Sequence, residues 1–190
     1  MLSAVRGCVL RRGMNRQSGA DDPRLRVSFR VLVASSRAVT RIPAPQKAPF
    51  YLSELVAESL SLIPHEGIAV EVNIEPEDTM LYADRALMSQ VMVNLLKNAT
   101  EALLAQDCER KITIRSTIDS EERIQIEITN NGKAIPAEVA ENIFTPFFTT
   151  KTDGSGIGLA VSRQIIRLHG GSLRLKHNDE GRVTFAVVIE

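Results

Sequence analysis

Cysteine and histidine are scarce in this chain, long apolar runs are absent, and the net charge is nil. The two cysteines, Cys8 and Cys108, stand far apart with no Cys or His cluster near either. Neither a zinc site nor a disulfide framework is indicated, and a reducing, cytosolic compartment fits best. No stretch approaches the roughly 20 apolar residues that a membrane-spanning helix needs, and residues 1–16 lack the apolar core of a secretory signal. The chain therefore reads as soluble, with no membrane segment. The zero charge conceals a division. Residues 1–49 hold nine Arg, one Lys and two Asp, a surplus of eight positive charges, and the remainder carries an equal negative excess. A basic leader could meet nucleic acid, an anionic membrane or an acidic partner, but the acidic main domain with scattered cations argues against nucleic-acid binding there. The Arg-rich, acid-poor start, Met1 to Arg12, also resembles a mitochondrial transit peptide. Otherwise residues 1–24 are expected to be a disordered leader.

What the chain does have is enough length and core for one domain plus an extension: 190 residues, 44% hydrophobic and 24% charged. Intermittent apolar spacing predicts a helix over residues 25–41, which Ile42-Pro43-Ala44-Pro45 would stop. That proline pair marks a linker, so residues 25–49 are read as helix and linker and 50–190 as the main domain. Its expected order is a short strand near Phe50, a helix at Ser53 to Ile63, and strands at Ile68 to Ile74 and Met80 to Ala83. A long helix follows from Asp84, its N-cap, to Ala105. Strands are expected at Lys111 to Ile118 and Arg123 to Thr129, the second alternating Ile124, Ile126 and Ile128. A short helix after Pro136, a glycine loop, a helix, and strands at Ser172 to Lys176 and Arg182 to Ile189 complete it. No internal repeat is visible. This mixture predicts an α/β (two-layer α+β) fold, a mixed sheet covered by helices on one face.

The run from Phe144 to Leu159 joins an aromatic anchor, a hydroxyl-rich loop, Lys151 and three alternating glycines ahead of a helix. Glycine permits φ > 0 and close backbone approach, so Gly154-Ser155-Gly156-Ile157-Gly158 exposes N–H groups in a strip that fits an anion. The next segment, Leu159 to His169, has helical apolar spacing and ends at Gly170-Gly171, a suitable C-cap. A phosphate on the loop would meet a helix N-terminus, where orphan N–H groups and the dipole favour negative charge. Alone, alternating glycines fit a flexible loop equally well.

In the long helix, Asn94 and Asn98 fall at i and i+4 on one face. Leu87, Val91, Leu95 and Ala102 trace an apolar stripe, so both amides project from the edge of a buried helix, where amides need partners. Two satisfied structural amides are one reading. The other is an Asn carbonyl ligating Mg2+, a hard ion that takes oxygen ligands and draws on substrate phosphates.

With these residues assembled, the chain resembles the nucleotide-binding (Bergerat-type) domain of sensor histidine kinases, including the nitrogen-regulator type. These belong to the GHKL superfamily with gyrase, the heat-shock chaperone ATPase and the mismatch-repair ATPases. Asn94-Leu95-Leu96-Lys97-Asn98-Ala99 resembles the N box, and Asn130-Asn131-Gly132-Lys133-Ala134-Ile135-Pro136 the first glycine box. Phe144 to Lys151 resembles the F box, and Gly154 to Leu159 the second glycine box. The ordered set is far more specific than any member.

The resemblance implies ATP held under a lid spanning roughly Phe144 to Ser155, and a bacterial, cytoplasmic setting. By carry-over, Asn98 would coordinate Mg2+, with Asn94 beside it on metal or phosphate. Lys151 would answer phosphate charge, a solvated loop lysine being its bland alternative. The amides of Gly156 and Gly158 would hold phosphate oxygens. Further nucleotide contacts are expected from Asn130, Gly132, Ala134, Ile135, Phe144, Thr150, Gly154, Ser155, Ile157, Leu159 and Thr184, although Phe144, Phe147 and Phe148 suit lid anchors better. Partners would be a dimerising domain that carries the phosphoacceptor histidine and, indirectly, a response-regulator receiver domain.

Two departures limit the resemblance. The family's first glycine box opens with an aspartate that accepts the adenine amino group, and this chain has Asn130. Its carbonyl can accept that bond without the charge-assisted component, on the order of 1 kcal/mol, so weaker ATP binding is expected. Ala134 stands where a second glycine is usual. Second, His65, His169 and His177 read as surface or capping side chains, so no acceptor histidine is expected here. Three readings follow: a kinase catalytic domain acting on a histidine elsewhere, a degenerate non-catalytic ATP-binding or interaction module, and an ATPase. The third is disfavoured because hydrolysing relatives place a glutamate general base where Asn94 stands.

Overall fold

The computed structural model describes residues 42–104, 106, 109–151 and 154–190. The leader expected at 1–24, the helix expected at 25–41, Cys8 and Cys108 lie outside the described residues. The compact unit runs Ile42–Glu190. It therefore takes in the proline-rich stretch read as a linker: Ile42 packs on the core, Gln46 N–H donates to Asp84 Oδ2 at 2.8 Å, and strand β1 begins at Ala48.

Strand β1 (Ala48–Tyr51) leads into helix α1 (Leu52–Ser61), and β2 (Ala69–Ile74) and β3 (Met80–Ala83) precede the long α2 (Arg85–Leu103). Then come β4 (Lys111–Ile118), β5 (Ile124–Asn130), the single-turn α3 (Ala137–Ala140), α4 (Gly158–Leu168), β6 (Ser172–Asp179) and β7 (Arg182–Ile189). Five strands form one mixed sheet in the order β2-β4-β5-β7-β6, parallel only between β2 and β4. The short β1 and β3 pair separately.

Period-two alternation aims Ile112 and Ile114 of β4, Ile126 and Ile128 of β5, and Val183, Phe185 and Val187 of β7 into the core under the helices. Thr113, Arg115, Gln125, Glu127 and Thr129 on the other face are half-buried or exposed, so helices cover one face, as the sequence predicts. Helix α2 is the axis of that layer, with Met88, Val91, Met92, Leu95, Leu96, Ala99 and Leu103 buried. The stripe is rotated from the one expected, for Leu87 is only half-buried and Ala102 is exposed. Burying each large member contributes about 1.5–3 kcal/mol.

Asp84 starts α2 as predicted: its Oδ1 accepts from the N–H groups of Ala86 and Leu87, both at 3.1 Å. The N–H of Gln46 foremost, then that of Leu87, holds the Asp84 carboxyl below its usual value. The Asp84 N–H donates to His169 Nε2 at 3.0 Å, while His169 Nδ1 lies 2.8 Å from Ile165 O. His169 is thus a buried tie between two helix ends. No helix among the described residues is long and apolar enough to cross a membrane.

Candidate functional site

The site is built on the edge of α2 that faces α4. Asn94 and Asn98 stand one turn apart there, both half-buried. Asn94 Nδ2 donates to Ser162 Oγ at 3.0 Å, fastening the first amide to α4. The backbone comes equally close: a Cβ on Gly158 would lie 2.2 Å from Asn94 Oδ1, so the glycine that opens α4 is what lets the two helices meet. Among the described residues helix α4 starts with no side-chain cap, and its first turn holds no acidic residue, so its N–H groups and positive dipole end suit an anion.

Asn98 Oδ1 accepts from Lys151 Nζ at 3.1 Å, and the same ammonium ion-pairs with Glu101. Two oxygens, one turn apart on α2, thus gather a cation supplied by the loop. This donor set fits a hard divalent ion, which prefers amide and carboxylate oxygens.

Backbone pairing shapes the loop between α3 and α4. Phe147 N–H donates to Gly156 O at 2.8 Å. Both residues have positive φ, 66° at Phe147 and 65° at Gly156. A Cβ on Gly156 would lie 2.6 Å from the Phe147 carbonyl carbon, so glycine is required there by both conformation and space. Thr149 Oγ1 accepts from Lys151 N–H at 3.1 Å and lies against Gly154, while Thr150 and Ser155 are exposed. Phe144 is an anchor: its ring packs edge-on against Phe185 at 6.4 Å, and Arg163 covers it at 4.8 Å. Leu159 packs against the core and Ile157 is half-buried beside it.

Asn130 ends β5 on the helix-covered face, 3% exposed, and its Nδ2 has no hydrogen-bond partner among the described residues. A Cβ on Gly132 would come within 2.6 Å of that nitrogen and 3.3 Å of Gln106 Nε2, so Gly132 makes room for the amide. The following residues are clasped to the β6–β7 turn. Ile135 N–H donates to Asn178 Oδ1 at 2.7 Å, Asn178 Nδ2 returns a bond to Ile135 O at 2.8 Å, and Ala134 N–H reaches Glu180 Oε2 at 3.3 Å. Ala134 is not in the left-handed region, so its methyl group adds no backbone strain.

Thr184 does not join this arrangement. It is paired with Thr129, Oγ1 to Oγ1 at 2.9 Å, on the face opposite Asn130, and Val183 is the residue directly across from Asn130. Strand alternation is the reason: one residue's difference in register moves a side chain to the other face. Conversely, Ser162, Glu101, Gln106 and Asn178 contribute polar contacts that the sequence did not single out. Only Ser162, at i+4 from Gly158, carried a spacing signal.

Residues 83–190, more than half of the chain, match the family model described as "Histidine kinase-, DNA gyrase B-, and HSP90-like ATPase". The sensor protein FixL of Bradyrhizobium diazoefficiens is 35% identical over 138 residues, which cover 70% of this chain and 27% of that protein. The chain thus spans about a quarter of the length of this curated relative. The nucleotide-free catalytic domain of histidine kinase ThkA is 36% identical with a TM-score of 0.66, covering 76% of this chain and 95% of that one. ThkA in complex with the response regulator protein TrrA matches at 30% identity and a TM-score of 0.65, over 90% of this chain and 52% of that one. The chain belongs to the histidine kinase-, DNA gyrase B- and HSP90-like ATPase family, as a catalytic domain of the sensor-histidine-kinase kind.

Proposed function

We propose that this chain is the Mg-ATP-binding catalytic domain of a two-component sensor histidine kinase and transfers the γ-phosphoryl group of ATP to a histidine outside it. The observation that carries this reading is the Asn94 amide. Its Nδ2 donates to Ser162 Oγ at 3.0 Å, and an amide takes no proton, so this position offers no base to a hydrolytic water. Transfer to a histidine needs none, since an imidazole nitrogen is itself the nucleophile. Positioning and charge stabilisation then carry most of the barrier reduction.

In this reading Asn98 Oδ1 and Glu101, which now hold the Lys151 ammonium, would be the oxygens that hold the metal, and Lys151 would answer the phosphate charge. Mg2+, when bound, supplies charge neutralisation on the phosphate oxygens. The N–H groups of Gly156 and Gly158 hold phosphate at the open end of α4, with Asn94 fixing that end to α2. Gly154, Thr150, Ser155, Ile157 and Leu159 shape the lid, and Phe144 anchors it. Asn130 reads the base, with Gly132, Ala134 and Ile135 forming the wall beside it.

Of the three histidines, His169 is buried with both ring nitrogens engaged and is closed to the acceptor role. The acceptor then belongs to a dimerising helical domain, and the ThkA complex with its response regulator supports a receiver domain downstream. A cytoplasmic, bacterial setting follows from that role. The replacement of aspartate by Asn130 favours a second reading, an ATP-binding module without transfer. Incubating the chain with Mg-ATP and an isolated acceptor hairpin from one of the matched sensor kinases separates the two. Phosphohistidine on the hairpin supports the kinase, binding without transfer supports the module, and no binding of Mg-ATP overturns both.

A further inference from the structure

Between Asn130, where β5 ends, and α3 the chain runs without helix or strand, so its backbone N–H and C=O groups need partners outside the sheet ladder. From Gly132 to Ile135 the partners lie in the β6–β7 turn. Gly181 N–H donates to Gly132 O at 3.0 Å, and Ala134 N–H reaches Glu180 Oε2 at 3.3 Å. The Asn178 side chain takes both backbone groups of Ile135, accepting from its N–H at 2.7 Å and donating to its carbonyl at 2.8 Å. An irregularity aims Asn178 there. Leu175 stands opposite Phe185, whose side chain enters the core, and strict alternation would carry Asn178, three residues on, to the outer face. The register shift between Leu175 and His177 inserts one residue, so His177 falls opposite Thr184 and Asn178 opposite Val183, on the helix-covered face. Val183 is also the residue across from Asn130, so both amides belong to one cross-strand row. Bulges beside functional sites re-aim side chains in this way.

We infer that Asn178 is a positioning residue for base selectivity: acting through Ile135, it holds the wall of the base site in place beside Asn130 without itself contacting nucleotide. The inference rests on the nucleotide reading above and deepens it. Asparagine suits this position because its carboxamide offers one donor and one acceptor, and so pairs with both backbone groups of a single residue. A carboxylate has only acceptors and would set an oxygen against the Ile135 carbonyl. The loop so held runs against the base-reading position, since a Cβ on Gly132 would come within 2.6 Å of Asn130 Nδ2. The phosphate end is fixed by different contacts, Asn94 to Ser162 and Asn98 to Lys151. Loosening the β6–β7 clasp should therefore disturb the base and leave the phosphates.

Calorimetric titration with Mg-ATP and Mg-UTP separates this role from a merely structural one, because the two carry the same triphosphate and differ in the base. The unaltered chain is expected to prefer Mg-ATP. Asn178→Ala is expected to weaken Mg-ATP about tenfold, the scale of the hydrogen bonds lost, and Mg-UTP less than about twofold, so that the preference collapses. Thr184→Val, which gives up its bond to Thr129, controls for lost stability and should keep the preference. Equal weakening of both nucleotides in Asn178→Ala overturns the inference, as does an unchanged preference. Should Asn178→Ala fail to fold, Asn178→Asp replaces it: its carboxylate still accepts from the Ile135 N–H but repels the carbonyl, and the same selective loss is expected, with the same refuting results. If Mg-ATP does not bind the unaltered chain, the nucleotide-binding reading itself fails. If Mg-ATP binds but no better than Mg-UTP, or if its preference survives loss of the Asn178 amide, only the inference fails.

Discussion

The close approach of Gly158 to Asn94 makes the sharpest mechanical prediction. A methyl group at 158 would lie 2.2 Å from Oδ1, 2.9 Å from Cγ and 3.1 Å from Nδ2 of Asn94, so the whole amide must move. Overpacking of this kind costs about 1–3 kcal/mol. Moving the amide also breaks its bond to Ser162 Oγ, worth about 1 kcal/mol. Against this, Gly to Ala at a helical position gains up to about 1 kcal/mol, and Gly158 has no positive φ to forfeit. The net expectation for Gly158→Ala is a loss of about 1–3 kcal/mol. For a domain of this size that is a fall in Tm of about 2–12 °C without nucleotide. In an Asn94→Ala background these three nearest atoms are gone, so there Gly158→Ala is expected to become neutral or mildly stabilising. Thermal or urea denaturation of the four proteins of this cycle measures the coupling. Additive effects, with Gly158→Ala equally harmful in both backgrounds, would refute the claim that the Asn94 side chain is what excludes a Cβ at 158.

Thr184→Val is expected to lose about 1 kcal/mol of stability with its Thr129 partner while leaving nucleotide affinity unchanged, read by denaturation and calorimetry; a marked loss of affinity would return Thr184 to the site. Lys151→Met should leave Tm nearly unaltered, because a half-exposed ion pair contributes about 0–1 kcal/mol, yet it should slow phosphoryl transfer severalfold in a radiolabel assay. Asp84→Ala removes the α2 cap at a cost of about 1 kcal/mol. Since the folded carboxyl titrates below its unfolded value, its contribution is present above about pH 4 and fades as pH falls through the folded pKa. A melting series from pH 6 to pH 2 should therefore show the unaltered chain and Asp84→Ala converging at the acid end, and a constant gap would contradict the assignment.

Most of the element order was legible because the signals were local. Asp84 announces a helix start by its own chemistry, and the spacing of Asn94 and Asn98 fixes them to one face whatever they pack against. Alternation in Ile124, Ile126 and Ile128 reads directly as a half-buried strand. Failures came where the decisive contact is distant in sequence. Whether Thr184 or Val183 shares a face with Asn130 depends on the β5–β7 register, which no feature near Thr184 reveals. Strand β6 runs on to Asp179, beyond the expected Lys176, because a register shift between Leu175 and His177 interrupts the alternation that would have marked its continuation. The stripe on α2 is rotated by part of a turn from the expected one, since Ala102 is apolar in type yet faces solvent, while Met88 and Met92 are fully buried. Glu101 and Gln106 enter only through the loops folded over them.

The central claim is that α2 carries a metal-assisted nucleotide site centred on Asn98, whose Oδ1 already draws in the Lys151 ammonium. Its most direct test is nucleotide affinity measured with and without Mg2+, for the unaltered chain and for Asn98→Ala. The account predicts that Asn98→Ala weakens ATP binding about tenfold to a hundredfold in the presence of Mg2+, the scale of one bond to a charged group, and changes it little in its absence. Affinity in Mg2+ that is indifferent to Asn98→Ala would contradict it.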